Sequence, residues 1–480
     1  MKVTFGIGPL TLMELSARMN GVLTAPEKSK LRVRALCTDS REVDLQTAFL
    51  TLPGEKDDGE AHIAEAVARG CPCVICTPNA QPPACAVQTA DRIGSLLRLA
   101  KSVREEVDPH CVAVTGSTGK TTAKEFLSAV LSQKFSTFKT AGNHNSLIGL
   151  PLSLLELKPK TEWAVLEMGM NKKGEIEALS RVALPDLAAI TNVGKAHIGM
   201  LGSQFDILQA KLEILSGLRP NGIFLLNADD EFLVRSVGKN FRTISLSANG
   251  RNADFSAKNI RVELQKTIFD FSWRGGVETD LCLPVMGRQF VSAALLACAV
   301  GVYAGVSPEE IRKGLSKATP GKFRQQISIC GGVTLIEDCY NASPESMAAA
   351  LDLLDLLCKG EGTRGVAVLG DMLELGSESE RLHYRIGKRF AAGNGALLFT
   401  IGNESEQIAL GARRNGVSSG CIFQNPDPND LSGLIETLEK AIRPGDVILI
   451  KASRRIAAER VGSALKDFLK KEGGQGPCVN

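Results

Sequence analysis

The stretch Cys111-Val112-Ala113-Val114-Thr115-Gly116-Ser117-Thr118-Gly119-Lys120-Thr121-Thr122 decides how the chain is read. Its first five residues form an apolar run of strand length, GSTG is a glycine turn, and AKEFLSAVLSQ then carries apolar residues at helical spacing. Strand, glycine turn and helix in that order present backbone N–H groups and a helix N-terminus to phosphate oxygens. Gly116, Ser117, Thr118, Gly119, Lys120, Thr121 and Thr122 are therefore expected to bind a nucleoside triphosphate. Lys120 would neutralise charge on the β and γ phosphates, and the Thr121 hydroxyl would ligate the Mg²⁺ that bridges them. Val114 stands where the full phosphate-loop pattern has its first glycine, so the loop is a compact variant.

Outward from this segment, WAVLEM at 163, LAAITNV at 187 and IFLLN at 223 read as buried strands separated by helix-length segments. Alternation of β and α predicts a parallel sheet covered on both faces. The polar stretch Lys101 to His110, with its Asp108-Pro109 step, marks a boundary before it, and Ala318-Thr319-Pro320-Gly321 marks one after it. Beyond the second break the rhythm restarts with VTLIE at 333, GVAVL at 365, ALLFTI at 396 and VILI at 447. Before the first, short apolar runs alternate with turn signals, including Leu52-Pro53-Gly54, Asp57-Asp58-Gly59 and the proline-rich Thr77 to Pro83. The expected fold is α/β in three domains. Residues 1–107 form a small α/β unit, 108–318 a central nucleotide-binding domain with a parallel sheet, and 319–480 a Rossmann-like α/β domain.

The 480 residues are about three typical domains, and 44% hydrophobic with 23% charged side chains is the balance of a globular chain. A net charge of +3 excludes the long-range basic field of nucleic-acid binders, so an anionic partner must be met locally. The N-terminal sequence lacks an uninterrupted apolar core and a small-residue cleavage site, which predicts no signal peptide. The apolar stretch Val291 to Val306 is shorter than the roughly 18 residues of a membrane span and reads as a buried helix. Thirteen scattered cysteines, an odd number, fit a reducing compartment, and the cytoplasm is expected. Cys71, Cys73 and Cys76 read as part of a buried strand, since no second ligand pair follows at zinc-finger spacing.

Three further positions attract chemistry. Glu167 ends the WAVLEM strand, at the sheet edge where phosphates and metal would lie, and is a metal-ligand candidate. His197 follows the LAAITNV strand at the same edge, open to metal or phosphate contact. Lys211 lies in a helix-like run, where its side chain alone reads as part of a solvated face. The basic cluster Lys451, Arg454, Arg455 and Arg460 is open between a solvated helix face and an anion site.

GSTGKTT with Lys124-Glu125, Thr140 to Asn145 with Ile148 to Leu152, EMGMNKKGEI, Asp338 to Met347 and Leu369 to Gly376 resemble consecutive motifs of the Mur ligases, across all three domains. The resemblance implies ATP-driven amide formation with Mg²⁺, in which a substrate carboxylate attacks the γ-phosphate and an amine captures the acyl phosphate. The implied partners are UDP-N-acetylmuramoyl-tripeptide and D-alanyl-D-alanine, with no nucleic acid, no membrane insertion and a monomeric chain. By resemblance Lys120, Lys211 and His197 are catalytic. Thr121, Glu167, His197 and a carbamylated Lys211 hold metal. Arg324 and Asp338 reach the nucleotide from the third domain, and Asn143, Asn145, Tyr340 and Asn341 lie on the substrate side. Ser40 and Arg41 meet the UDP-sugar in the first domain.

Four positions depart from the family pattern. Gly287 to Ala294 reads GRQFVSAA where asparagines usually meet the base, and Gly199 replaces the carboxylate of Ala-His-Leu-Glu. Lys451-Ala452-Ser453-Arg454-Arg455 and Asp58-Gly59-Glu60-Ala61-His62 differ from their counterparts in the dipeptide and uracil regions. A sister Mur ligase or a folate-type ligase with a single amino-acid acceptor is the nearest alternative, and a P-loop nucleotide-binding module without ligase activity is a further one. A GTPase switch is disfavoured, because Asn171-Lys172-Lys173-Gly174 lacks the aspartate that reads guanine.

Overall fold

Residues 1–54, 57–80, 82, 85–236, 241–360 and 362–472 are described in the computed structural model of the chain. Gln81 and Pro83 of the proline-rich turn stretch, and the chain end 473–480, lie outside them. The run His110–Thr115 sits inside the largest sheet because both of its faces are apolar. Val112 and Val114 share a core with Phe126, Leu127 and Val130 of the helix Lys120–Leu131. Cys111 and Ala113, on the opposite face, share one with Ile176, Leu179 and Ile207. This two-sided burial is what a parallel sheet between helices requires.

Strand order in that sheet is Thr137–Lys139, Trp163–Glu167, His110–Thr115, Leu187–Ile190, Ile223–Asn227, Arg242–Ser247, Phe255–Glu263, Lys266–Trp273, Gly276–Leu283. Pairing is parallel through Phe255–Glu263 and antiparallel for the last two strands. The expectation of a parallel sheet is thus corrected at one end. Leu264-Gln265 and Arg274-Gly275 are two-residue connections, which can join only antiparallel neighbours.

Two six-stranded sheets flank the central one. In the N-terminal domain Cys73–Cys76 is a fully buried strand of a six-stranded sheet. In the C-terminal domain the order is Gln326–Cys330, Val333–Glu337, Asp446–Lys451, Arg364–Gly370, Gly395–Ile401, Ile422–Asn425, parallel except for its first pair. The helix Arg92–Val107 ends at Asp108, in the left-handed region before Pro109. Its Leu96, Leu99 and Val103 belong to the same apolar cluster as Leu150, Leu154 and Leu179, so the first domain is docked on the second. Arg104, fully buried in this seam, donates to Ala183 O at 2.7 Å and Leu184 O at 3.1 Å and so satisfies the end of the helix Glu175–Ala183.

The apolar stretch after Phe290 forms the helix Val291–Tyr303, buried in the central core. Among the described residues no helix is long and apolar enough to cross a membrane.

Candidate active site between the central and C-terminal domains

A cavity of about 580 Å³ opens at the carboxyl ends of the central strands, where the C-terminal domain meets them. Its floor is the loop after His110–Thr115. Gly116 has φ 151°, and a Cβ there would lie 1.8 Å from Thr191 Oγ1, so the strand end at 191 can approach only a glycine. That approach ties the loop down. Ser117 N donates to Asn192 O at 3.0 Å, Thr118 N to Asn192 Oδ1 at 3.0 Å, and Asn192 Nδ2 to Thr118 Oγ1 at 2.9 Å. Lys120 curls over the loop and donates to Gly116 O at 2.7 Å. Desolvation there pushes its ammonium below the ordinary lysine range, against the pull of Glu167.

Thr121 Oγ1 donates to Glu167 Oε2 at 2.8 Å. The same carboxylate accepts from Asn145 Nδ2 at 2.7 Å and lies 3.5 Å from the buried Lys124 ammonium. Glu167 is 2% exposed, so hydrogen bonds and Lys124 are what keep a carboxylate tolerable there. A hydroxyl and a carboxylate oxygen this close, facing a polar cavity, suit a hard divalent cation such as Mg²⁺. Thr122 follows Thr121 into the first turn of the helix, and Asn143 lines the cavity beside Asn145.

Lys211 corrects the reading of a solvated helix face. The helix Gln204–Leu212 buries Ile207, Leu208, Ala210 and Lys211, and the Lys211 side chain reaches the cavity from below. Burial, reinforced by repulsion from Lys120, pushes its ammonium well below the ordinary lysine value. Among the described residues no carboxylate lies within ion-pair distance of it. As an ammonium it cannot ligate a metal, whereas a neutral amine can add to CO₂ and become an anion.

The other wall belongs to the C-terminal domain. Arg324 Nη2 donates to Thr121 Oγ1 at 2.9 Å, and its guanidinium lies 3.8 Å from the centre of the Tyr340 ring. Lys451 Nζ, buried, donates to Asp338 Oδ2 at 2.7 Å and to Asn341 O at 3.1 Å, which fixes the segment carrying Asp338, Tyr340 and Asn341. This answers the open question of the basic cluster for three of its members. Lys451 holds that segment, Arg454 pairs with Glu459 at 2.8 Å, and Arg460 donates to Pro428 O and Asn429 O. Ala189, Leu225, Leu246, Phe290 and Leu296 supply apolar lining to the same cavity, with Asn227, Asp229 and Gln289 also on its wall. Gln289 Nε2 donates to Gln325 Oε1 at 2.8 Å across the domain interface.

His197 lies on the cavity wall, its Nδ1 2.6 Å from Glu374 Oε2 of the C-terminal domain. The two atoms are close, but Nδ1 makes no aligned hydrogen bond in this arrangement. Glu345, at the start of the helix Pro344–Leu357, accepts from Lys195 N at 3.2 Å. Glu345 and Glu374 carried no role in the sequence reading, because their partners are 150 and 177 residues away and only the fold joins them.

Two expected residues are not brought to the cavity. Ser40 is buried in the first domain with its hydroxyl donating to Glu65 Oε2 at 2.6 Å, and Arg41 is paired on both sides of its fork with Asp39, at 2.8 and 2.7 Å. The Ser40 hydroxyl is committed to Glu65, whereas among the described residues Arg41 keeps its Nη1 donors free on an exposed side chain.

Residues 114–301 match the Mur ligase middle domain, and residues 323–454 match the domain described as Mur ligase, glutamate ligase domain. A curated relative from Bacillus subtilis, UDP-N-acetylmuramoyl-tripeptide--D-alanyl-D-alanine ligase, is 34% identical over 96% of this chain and 98% of its own. The chain belongs to the Mur ligase family. Among solved Mur ligases, the crystal structure of MurF from Acinetobacter baumannii superposes with a TM-score of 0.88 at 30% identity, covering 96% of this chain and all of that one. MurF ligase from Thermotoga maritima in complex with ADP superposes with a TM-score of 0.80 at 29% identity, over 91% of this chain and 98% of that one. The three-domain architecture with its cleft is that of the family.

Proposed function

We propose that the chain is an ATP-dependent ligase that joins D-alanyl-D-alanine to UDP-N-acetylmuramoyl-tripeptide in peptidoglycan precursor synthesis, releasing ADP and phosphate. The observation that carries the chemistry is the cavity in which Lys120, Thr121, Glu167 and Lys211 of one domain face Arg324, Asp338 and Tyr340 of another. The tripeptide carboxylate oxygen attacks the γ-phosphorus, and the bond to the ADP oxygen breaks. The dipeptide amine then attacks the acyl carbon, phosphate leaves, and the amine gives up a proton. Two domains meeting over the site exclude water, which would otherwise hydrolyse the acyl phosphate.

Lys120 and Arg324 are the cations that meet charge developing on the transferring phosphoryl group. Asn143 and Asn145 orient the peptide side, while Asp338, Tyr340 and Asn341 shape the nucleotide and dipeptide side. Thr121 and Glu167 would hold Mg²⁺, with His197 and carbamylated Lys211 on a second ion. Bound there, magnesium supplies neutralisation of phosphate charge. The lowered basicity of Lys211 supports its carbamylation, since only the neutral amine adds to CO₂. Ser40 and Arg41 are assigned to the UDP-sugar in the first domain, with Arg41 exchanging Asp39 for the diphosphate. A nucleotide-sugar substrate places the reaction in the cytoplasm.

The test is phosphate release from ATP and Mg²⁺ with the UDP-tripeptide, with and without D-alanyl-D-alanine, while the amide product is followed by mass. Phosphate and pentapeptide appearing together only with the dipeptide is the expected result. Phosphate without ligated product would overturn the acceptor.

A further inference from the structure

Two residues after His197, Gly199 sits where the central and C-terminal domains meet. A Cβ on Gly199 would lie 2.4 Å from Gly376 N and 2.8 Å from Gly376 Cα, and one on Gly376 would lie 2.7 Å from Gly199 Cα. The backbones of the central and C-terminal domains therefore touch at two facing glycines. Gly199 N donates to Glu374 O at 3.0 Å, which sets the register of the contact.

That register brings the Glu374 carboxylate to 2.6 Å from His197 Nδ1. Both residues hold left-handed backbone, φ 67° at each, a conformation that non-glycine residues sustain only where their surroundings enforce it. Among the described residues His197 Nε2 has no hydrogen-bond partner. A carboxylate beside Nδ1 favours the tautomer with its proton there, which leaves the Nε2 lone pair for a ligand, as second-layer carboxylates do for metal-bound histidines.

We propose that Glu374 is the positioning residue of His197. It is a carboxylate supplied by the C-terminal domain, so the His197 side of the site is complete only when Gly199 and Gly376 are in contact. This rests on the reading of the cavity as a magnesium-nucleotide site. Domain closure and completion of the histidine are then one event, and an open molecule presents His197 without its orienting partner.

The experiment is calorimetric titration of ADP into the full-length protein across a Mg²⁺ series, paired with small-angle scattering. Glu374→Gln keeps the side-chain volume and removes the charge. It is expected to raise the Mg²⁺ concentration for half-maximal nucleotide binding about 10- to 100-fold. Gly376→Ala, or Gly199→Ala if the first variant fails to fold by circular dichroism, is expected to shift the same midpoint and to enlarge the radius of gyration with nucleotide bound. In a His197→Ala background the Glu374→Gln effect should vanish, which a merely structural role for Glu374 would not produce. A wild-type magnesium midpoint in Glu374→Gln, or an undiminished effect without His197, overturns the inference. Failure of the wild type to bind nucleotide with Mg²⁺ overturns the functional reading beneath it.

Discussion

The guanidinium of Arg324 is shared between the two sides of the cleft: Nη2 reaches the Thr121 hydroxyl at 2.9 Å while the group lies against Tyr340, 3.8 Å from the ring centre. Thr121 accepts from Arg324 and donates to Glu167, so one hydroxyl uses its acceptor and donor capacity to couple the C-terminal domain to the end of a central strand. A planar fork on an aromatic face is something lysine cannot reproduce. Arg324→Ala and Arg324→Lys are both expected to lower ligation turnover, about 100-fold for loss of a charge-stabilising donor. Steady-state phosphate release measures it, and a lysine variant at wild-type rate would show that charge alone suffices.

Lys120 makes no ion pair among the described residues, and its hydrogen bonds go to Gly116 O and Ser117 O of its own loop. Removing it leaves the strand, the turn and the helix with their own bonds. Lys120→Ala should keep the far-ultraviolet spectrum and melting temperature near wild type while turnover falls about 100- to 1000-fold. A variant that ligates normally would remove Lys120 from the phosphoryl step.

Lys211 is expected to trade stability against activity. A buried ammonium without a partner costs desolvation, so Lys211→Met should melt higher than wild type while losing ligation. Lys211→Ala leaves room for a small anion, and short carboxylic acids should restore part of its activity if a carbamate is the working group. Full activity in the alanine variant would contradict the assignment.

Much of the site was legible because its signals are local. The turn Gly116 to Gly119 sits between an apolar run and a periodic helix, and Glu167 ends an apolar run, so each is read from a dozen residues. The antiparallel end of the sheet was missed because LAAITNV and IFLLN set the rhythm, while Arg274-Gly275 is a weaker turn signal than a change of fold demands. Lys211 was illegible to side-chain chemistry alone, since burial at that position is decided by the sheet above it. Glu374 could not be found at all from spacing. The histidine and its carboxylate lie in different domains, and no rule of local spacing connects the two.

His383 gives a prediction that leaves the cavity aside. It is fully buried, its Nε2 accepts from Met372 N at 2.9 Å, and its Nδ1 lies 2.8 Å from Ser379 O, so the neutral ring with its proton on Nδ1 satisfies both neighbours. Burial lowers its pKa below the ordinary 6.5, with Ser379, Asp371 and Glu404 opposing. A group that titrates lower in the folded state takes its proton first in the unfolded chain. Its stabilisation is therefore complete above pH 6.5 and is lost as pH falls from there toward the folded value. Asp371, whose carboxyl burial pushes up, titrates from 3.8 upward and works in the opposite sense at lower pH. Urea midpoints should thus fall between pH 7 and pH 5 in the wild type and fall less in His383→Gln, which keeps an acceptor for Met372 N but cannot be protonated. Because Met372 opens the segment that carries Glu374, the same acidification should loosen the segment before the rest of the domain, read as faster amide exchange from 372 to 376. Equal urea slopes in the two proteins would mean that His383 does not titrate in this range.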